Sequence, residues 1–293
     1  MALVSVTMHL PVPILYLLLQ LPFAVLHACS SIDAYASSPI IYSPNGRVLQ
    51  LEFAREVVRK GEPLVGIRGK DGLVVMTRTT SLRKFEMVDD HIVLGTAGLA
   101  ADAAVFAKTA KKICSSYRED FGAPIAVENL SDQLATLLHA QTRRAGTRPL
   151  GIGALVAGAD DVLGPQLYTI GTQGRFEGWK AVAIGGPGQD QANDLLAASV
   201  GRLHDKSVED IVLELQRDSC RLLASFFKKT VAQAAGPRQI GGGSALETKP
   251  GAEETGTGAD DKTQVQIYTY VLSGDKGYIW AAKQVEFVPA DKR

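Results

Sequence analysis

The side chains that could do chemistry are scattered along the sequence rather than set at the spacing of a known site. The five histidines form no His-Glu-x-x-His motif and have no cysteine pair beside them, so we expect no metal site. The sequence also lacks the Gly-x-x-x-x-Gly-Lys-Ser/Thr phosphate loop and the Gly-x-Ser-x-Gly elbow of serine hydrolases. We therefore predict a protein without a metal or another cofactor.

Two pairs of acids and one glycine-rich turn have simpler explanations than a ligand site. Asp89-Asp90 and Asp160-Asp161 lie at predicted strand edges or turns, where aspartate usually accepts a local backbone hydrogen bond. Gly185-Gly186-Pro187-Gly188 precedes a predicted helix, and we expect a tight turn there rather than an anion site.

Composition and charge exclude several classes of protein. The 293 residues include 31 Lys+Arg and 31 Asp+Glu, so no net charge draws the chain to nucleic acid or to an anionic membrane. Hydrophobic residues make up 46% and charged residues 21%, which is typical of a globular protein. The three cysteines form no Cys-x-x-Cys pair and are too few for a disulfide framework, which favours a reducing compartment.

Residues 1–34 form an apolar N-terminal extension. A signal peptide or anchor is one interpretation, because small residues follow the apolar run at Ala28-Cys29-Ser30. The absence of Lys and Arg before that run, and three prolines in and beside it, favour a disordered extension or a gene-model artefact. Asn129-Leu130-Ser131 matches a glycosylation site, but we expect it at a helix start, where Asn or Ser would cap the helix.

Hydrophobic periodicity predicts alternating groups of strands and helices. Helices are predicted over 47–60, 98–119, 127–144, 189–204 and 207–230, and strands over 64–68, 73–77, 91–95, 152–157, 166–170, 179–184, 265–271 and 277–280. Gly61 is expected to end the first helix, Gly69 and Gly72 to supply positive φ in a turn, and Ser207 to cap the last helix. Residues 236–262 read as a flexible insertion, because they contain almost no large apolar side chain.

The order of strands, two helices, strands, two helices and strands predicts an α/β (α+β) protein. Two sheets covered by two helix pairs would form a four-layer αββα sandwich. We expect one domain over 35–293, with the insertion at 236–262.

One segment is far more specific than the rest. Tyr42-Ser43-Pro44-Asn45-Gly46-Arg47-Val48-Leu49-Gln50-Leu51-Glu52-Phe53-Ala54 predicts a rigid turn, fixed by Pro44 and Gly46, that leads into a helix. We expect Leu51 and Phe53 on one face of that helix. The segment resembles the signature of the α-type subunits of the 20S proteasome, and segments 66–72, 97–103, 146–151, 164–168 and 179–185 resemble further motifs of the family in order.

The resemblance implies the proteasome-subunit version of the Ntn-hydrolase fold and a set of functional residues. The gate turn and α signature would comprise Tyr35, Tyr42, Ser43, Pro44, Gly46, Arg47, Gln50, Glu52 and Phe53. The family usually has an acidic gate residue before the turn. Here the corresponding stretch is Tyr35-Ala36-Ser37, which removes that acid.

The family's proteolytic β-type subunits use an N-terminal threonine, an aspartate and a lysine. Aligned with that pattern, Glu62 stands in place of the threonine, Arg78 in place of the acid and Lys84 in place of the lysine. Thr79-Thr80 is internal, with no processing glycine before it. The resemblance therefore implies no catalytic residues and no protease activity in this subunit. An active threonine hydrolase of the same fold and a divergent secreted paralogue remain as alternatives.

The implied role is structural and regulatory. Neighbouring α subunits would form the ring, β subunits would stack on it, and regulatory-particle ATPases or other activators would insert C-terminal tails. Lys84 matches the lysine that pairs with an incoming tail carboxylate, although segment 77–84 is shorter than the family's. The alternative for Lys84 is a solvated surface lysine. Gly178-Trp179-Lys180 and Lys283-Gln284 favour the type-4 subunit, and the expected location is the cytoplasm and nucleus.

Overall fold

The structure is a computed structural model that describes residues 35–38, 40–78, 84–144, 146–214, 263–273 and 277–287. The predicted extension at 1–34 and insertion at 236–262 lie outside these ranges, as does the helix predicted beyond Glu214. Within the described ranges, no helix has the length and apolar character needed to cross a membrane.

Two antiparallel sheets of five strands each form the centre of the described part of the chain. The strands are β1 (Leu64–Arg68), β2 (Gly72–Arg78), β3 (Phe85–Asp89), β4 (Ile92–Gly98), β5 (Ile152–Asp160), β6 (Gly164–Ile170), β7 (Phe176–Gly178), β8 (Ala181–Ile184), β9 (Thr263–Ser273) and β10 (Gly277–Phe287). One sheet has the order β10-β9-β2-β1-β8, and the other has the order β3-β4-β5-β6-β7.

The described ranges contain five helices, four of which cover the outer faces of the two sheets. They are α1 (Leu49–Lys60), α2 (Ala100–Phe121), α3 (Val127–Thr142), α4 (Gln189–Leu203) and α5 (Val208–Glu214). Helices α2 and α3 pack on the sheet that contains β4 and β5, whereas α4 and α5 pack on the sheet that contains β1 and β2. These four layers confirm the predicted αββα sandwich. Helix α1 contacts β4 and β5, and its Val58 packs against the cluster between the sheets rather than under a helix layer.

Three apolar clusters bind the layers together. The cluster between the sheets includes Leu64, Leu73, Val75, Leu155, Leu167 and Val182. A Cβ on Gly66 of β1 would lie 2.9 Å from Leu167 Cδ1, which shows how closely the two sheets approach. The other two clusters lie under α2 and α3 and under α4 and α5.

The structure adds two strands that the pattern did not predict. Strands β3 and β7 are short edge strands, and their register comes from pairing with β4 and β6. The turn between β1 and β2 is also different from the prediction, because neither Gly69 nor Gly72 has a positive φ. Gly69 is needed for space instead, since a Cβ there would lie 2.7 Å from Ile211 Cδ1 of α5.

The start of α3 is capped by a residue from another element. The predicted cap by Asn129 or Ser131 is wrong, because both residues lie inside α3, where the Ser131 hydroxyl donates to Val127 O. The Val127 N–H instead donates to Asp160 Oδ1 at the end of β5, at 3.1 Å. The local hydrogen bond predicted for Asp160 is therefore replaced by a long-range one.

Three other local predictions are confirmed. Asp89 accepts the Asp90 N–H at 2.8 Å, and the Asp210 N–H donates to Ser207 Oγ before α5. Gly185 and Gly186 have φ values of +73° and +76°, as a tight strand-to-helix turn requires.

Candidate functional site

The segment that leads into α1 forms the predicted rigid turn. The Gly46 N–H donates to Ser43 O at 2.8 Å, and the Ser43 N–H donates to Arg47 O at 2.8 Å. The Ser43 hydroxyl accepts the Arg47 N–H at 3.1 Å, so the turn is closed from both sides. Gly46 has φ +71°, a conformation that side chains rarely adopt. Pro44 lies in this turn between Ser43 and Gly46, where its fixed φ suits the turn.

Arg47 joins this turn to α1 through a bidentate ion pair. Its Nε and Nη2 donate to the two carboxylate oxygens of Glu52, each at 2.6 Å. This hydrogen bond, together with the charge of Glu52, raises the pKa of Arg47. Because the Arg47 side chain is 63% exposed, the pair adds geometric definition rather than much stability.

Gln50 connects α1 to the segment before the turn. Its side-chain amide donates to the carbonyl oxygen of Ala36. Ala36 lies between Tyr35 and Ser37, the stretch that resembles the gate segment, and Tyr35 is half-buried. The structure thus brings the predicted gate residue Tyr35 close to the signature helix, through a side chain that belongs to the signature itself.

The prediction that Leu51 and Phe53 share one face of α1 is wrong. Ala54 is buried and Val58 packs against the cluster between the sheets, so these two residues, four apart, define the inner face. Phe53 is 52% exposed and Tyr42 is 69% exposed. A cavity of about 670 Å³ lies beside Tyr42 and Leu51, against the end of α3 and the turn between β6 and β7.

Lys84 is buried, which contradicts the solvated-surface alternative. Its relative exposure is 8%, and its carbonyl oxygen accepts the Thr96 N–H at 3.1 Å. With Glu86, Thr96 and Gly98, it lines a cavity of about 160 Å³ beside the start of α2. Burial lowers the pKa of Lys84, and the charge of Glu62 opposes that shift.

The three positions that align with the catalytic triad of the β type lie on separate elements. Glu62 connects α1 to β1, Arg78 is the last residue of β2, and Lys84 comes directly before β3. Glu62 and Lys84 are close enough to interact electrostatically. Thr79-Thr80 lies outside the described residues.

The connection from α1 into β1 is continuous and tightly packed. A Cβ on Gly61 would lie 2.5 Å from the backbone nitrogen of Gly98, so glycine lets α1 approach the end of β4. Gly61 ends the helix as predicted, but with φ −69° rather than a left-handed cap. The Thr77 hydroxyl donates to Pro63 O at 3.0 Å, which ties β2 to the residue just before β1. Glu62, which lies two residues before β1, is therefore an internal residue of this packed connection.

An ion pair that the motif reading missed holds the start of α2. Arg148 donates twice to the Asp102 carboxylate, with both distances 2.7 Å, and the Gly151 N–H donates to Asp102 Oδ2 at 3.0 Å. Both charged residues lie in segments, 97–103 and 146–151, that resemble family motifs. These positions were the sequence signal for the ion pair, because residues of opposite charge in two motifs of one family are candidates for a contact.

Within the described ranges, no group of three or more His, Cys, Asp and Glu side chains is arranged to hold a metal ion. Cys114 is buried, and desolvation raises the pKa of its thiol to about 12. This thiol is protonated at neutral pH and is a poor nucleophile.

The fold and the signature turn together define a class: an αββα sandwich of the Ntn-hydrolase type with an extra N-terminal helix. The family model described as "Proteasome subunit" matches residues 58–217. The chain belongs to the proteasome subunit family.

Its relatives include α-type subunits from plants, amoebae and archaea. Proteasome subunit alpha type-7 of Cicer arietinum is 38% identical over 161 residues, which cover 52% of this chain and 65% of the relative. The type-7 subunit of Dictyostelium discoideum is 36% identical over 186 residues, covering 60% of this chain and 71% of the relative. Proteasome subunit alpha of Picrophilus torridus is 34% identical over 172 residues, covering 56% and 73%. The chain thus spans somewhat less than two thirds of the Cicer arietinum protein.

Proposed function

We propose that this chain is a non-catalytic subunit of the α ring of the 20S proteasome core. The observation that carries the proposal is the ordered turn and helix ahead of β1. The turn, the Arg47–Glu52 pair and α1 run without a break through Gly61 into β1. An N-terminal threonine hydrolase needs a free amine at the start of its first strand, because that amine is the base.

The proposed role is to build the ring, to contribute to its gate and to receive activators. Its partners are neighbouring α subunits, the β subunits, and the C-terminal tails of regulatory ATPases or other activators. It works in ubiquitin-dependent protein breakdown in the cytoplasm and nucleus. Nucleic acid and membrane are not among its partners. The Gln50 contact with Ala36 supports the gate role, because it links the segment Tyr35-Ala36-Ser37 to α1.

Within this proposal, Lys84 is the docking residue for the terminal carboxylate of an activator tail. Support comes from its place in the wall of a cavity and from its charge. Glu62 lies near enough to offset part of that charge, so a tail must compete with an internal carboxylate. The assignment to type 4 stays a prediction, as does the single domain over 35–293.

The catalytic alternative is tested at the N-terminus. Intact-mass analysis and N-terminal sequencing of the native protein should give no mature chain that begins at a threonine. An electrophilic probe for N-terminal threonine should label the β subunits of the same particle and leave this chain unlabelled. A labelled chain with a new N-terminal threonine would overturn the proposal.

The secreted paralogue is tested by location. A C-terminally tagged chain, with and without residues 1–34, should show the same cytoplasmic and nuclear distribution. Entry of the full chain into the secretory pathway, lost when 1–34 are removed, would favour the alternative. The ring role itself is tested by the size and composition of the native particle.

A further inference from the structure

A basic cavity of about 390 Å³ lies between α1 and the turn that joins β6 and β7. Arg55 and Arg59 of α1 line it, together with Arg175 of that turn. We call these three residues and the space between them the arginine cavity. All three guanidinium-bearing residues are exposed, so an incoming ligand can reach them.

The charges of the arginine cavity are only partly balanced. Arg175 pairs with Glu177, and Arg59 lies 3.7 Å from Glu56. Arg55 donates to the neutral amide oxygen of Gln173, and among the described residues no carboxylate lies within ion-pair distance of it. Three arginines therefore face one lining carboxylate, Glu177, and the cavity carries an excess of positive charge.

One buried hydroxyl beside the arginine cavity has no partner among the described residues. Thr172 lines the arginine cavity and is 4% exposed. Its Oγ1 has no hydrogen-bond partner among the described residues. A buried hydroxyl without a partner costs free energy unless a ligand or water satisfies it.

The base of the cavity is apolar. Val58, Ile170 and Ile184 line it beneath the polar groups. Its volume is several times that of an inorganic phosphate ion. A single small anion would leave the apolar base uncovered, whereas a peptide can place a carboxylate among the arginines and an apolar side chain below them.

We propose that the arginine cavity binds an acidic peptide segment of a protein partner, in which a carboxylate side chain is adjacent to an apolar one. Guanidinium groups bind carboxylates in a bidentate manner. This site is separate from the Lys84 cavity, since no residue lines both. It does not depend on the proposed ring function.

The test is direct binding of a defined peptide to the full-length protein. A fluorescein-labelled peptide of alternating glutamate and leucine serves as the ligand, and fluorescence anisotropy measures its affinity. A peptide with lysine in place of glutamate is the matched control. We expect the acidic peptide to bind at least tenfold more tightly, with an affinity that falls as salt is raised from about 50 to 500 mM.

Two variants locate the binding. Arg55→Gln and Arg175→Gln should each weaken binding about tenfold, because each removes hydrogen bonds to a charged group. Arg144→Gln removes an exposed arginine that does not line the cavity and should leave the affinity unchanged. Far-ultraviolet circular dichroism confirms that each variant folds.

Several outcomes would overturn the proposal. These are equal affinity for the acidic and basic peptides, no measurable binding, or full affinity in both arginine variants. Inorganic phosphate is titrated as a competitor. Phosphate that binds as tightly as the peptide would also overturn it, because the apolar base would then contribute nothing.

Discussion

Asp102 and Arg148 join the start of α2 to the segment before β5 through two parallel hydrogen bonds of 2.7 Å each. The Asp102 side chain is 8% exposed, whereas that of Arg148 is 58% exposed. Substitution of Asp102, the buried partner, should therefore cost more stability than substitution of Arg148, because it also removes the acceptor of the Gly151 N–H.

We predict that Asp102→Asn destabilises the protein by about 1–3 kcal/mol at pH 7, as for loss of a buried charged hydrogen bond. The hydrogen bond from Arg148 is the largest cause of the lowered pKa of Asp102, and the Gly151 N–H adds to it. Since the folded pKa is below the unfolded value of about 3.9, the stabilisation is complete above that pH and is lost as pH falls through the folded pKa.

Urea unfolding at pH 7 and pH 3 measures this effect in the wild type and the variant. The difference between them should shrink at pH 3. The control is Asp132→Asn, which changes an exposed aspartate on α3 and should shift the unfolding free energy little at either pH. A stability gap for Asp102→Asn that is the same at both pH values would contradict the role of its charge.

Asp160 should show the opposite pH dependence. Burial raises the pKa of Asp160, although the Val127 N–H and the Gln166 amide partly oppose the shift. A folded pKa above the unfolded one means that this group favours folding at low pH and loses that contribution as pH rises through the folded pKa.

Asn at position 160 keeps an acceptor for the Val127 N–H without a buried charge. We therefore expect Asp160→Asn to lie within about 0.5 kcal/mol of the wild type at pH 7, and Asp160→Ala to cost about 1–2 kcal/mol through loss of the cap on α3. Equilibrium unfolding of both variants gives the comparison. Equal losses in the two would show that the charge itself, rather than the acceptor, holds α3.

Gly61 tests the contact between α1 and the end of the sandwich. Its Cβ would meet backbone atoms of Gly98, which cannot rotate away, so Gly61→Ala should cost about 1–3 kcal/mol. Gly201→Ala is the matched control, because its Cβ meets nothing within 4 Å in helix α4 and should stabilise the protein by about 0.5–1 kcal/mol. Thermal unfolding that ranks the two variants in the reverse order would refute the close approach.

Lys84→Ala should weaken the binding of an activator's C-terminal peptide by about tenfold or more without loss of assembled particle. Its charge is replaced by a small apolar group in a cavity of about 160 Å³. Lys108→Ala, an exposed lysine on α2, is the control and should bind the peptide normally. Peptide anisotropy with purified particles measures both. Unchanged affinity in Lys84→Ala would end the docking assignment but leave the ring assignment in place.

Much of this fold follows from periodicity, and the exceptions have physical causes. Strand β1 was predicted with its observed limits, because its apolar residues are buried on both faces. Strand β3 has the same length but was missed, because its charged residues break the apolar pattern and its pairing with β4 defines it. The Asp160 cap on α3 spans 33 residues, a distance over which sequence spacing carries no signal.

The candidate site was likewise predictable from the sequence only in part. Pro44 and Gly46 made the turn predictable, since each restricts or permits a specific φ. The exposure of Phe53 was not predictable, because α1 buries only a narrow strip of its surface, around Ala54. The burial of Lys84 was not predictable either, because it comes from tertiary packing beside β4, where the Lys84 carbonyl oxygen accepts the Thr96 N–H.

The most direct test of the α-ring assignment is native purification of the tagged full-length chain, followed by size analysis and mass spectrometry. We predict a stacked-ring particle of several hundred kilodaltons that contains β subunits and other α subunits. In that particle the chain carries no threonine-probe label. Recovery of the chain as a lone monomer, without related subunits, would contradict the α-ring assignment.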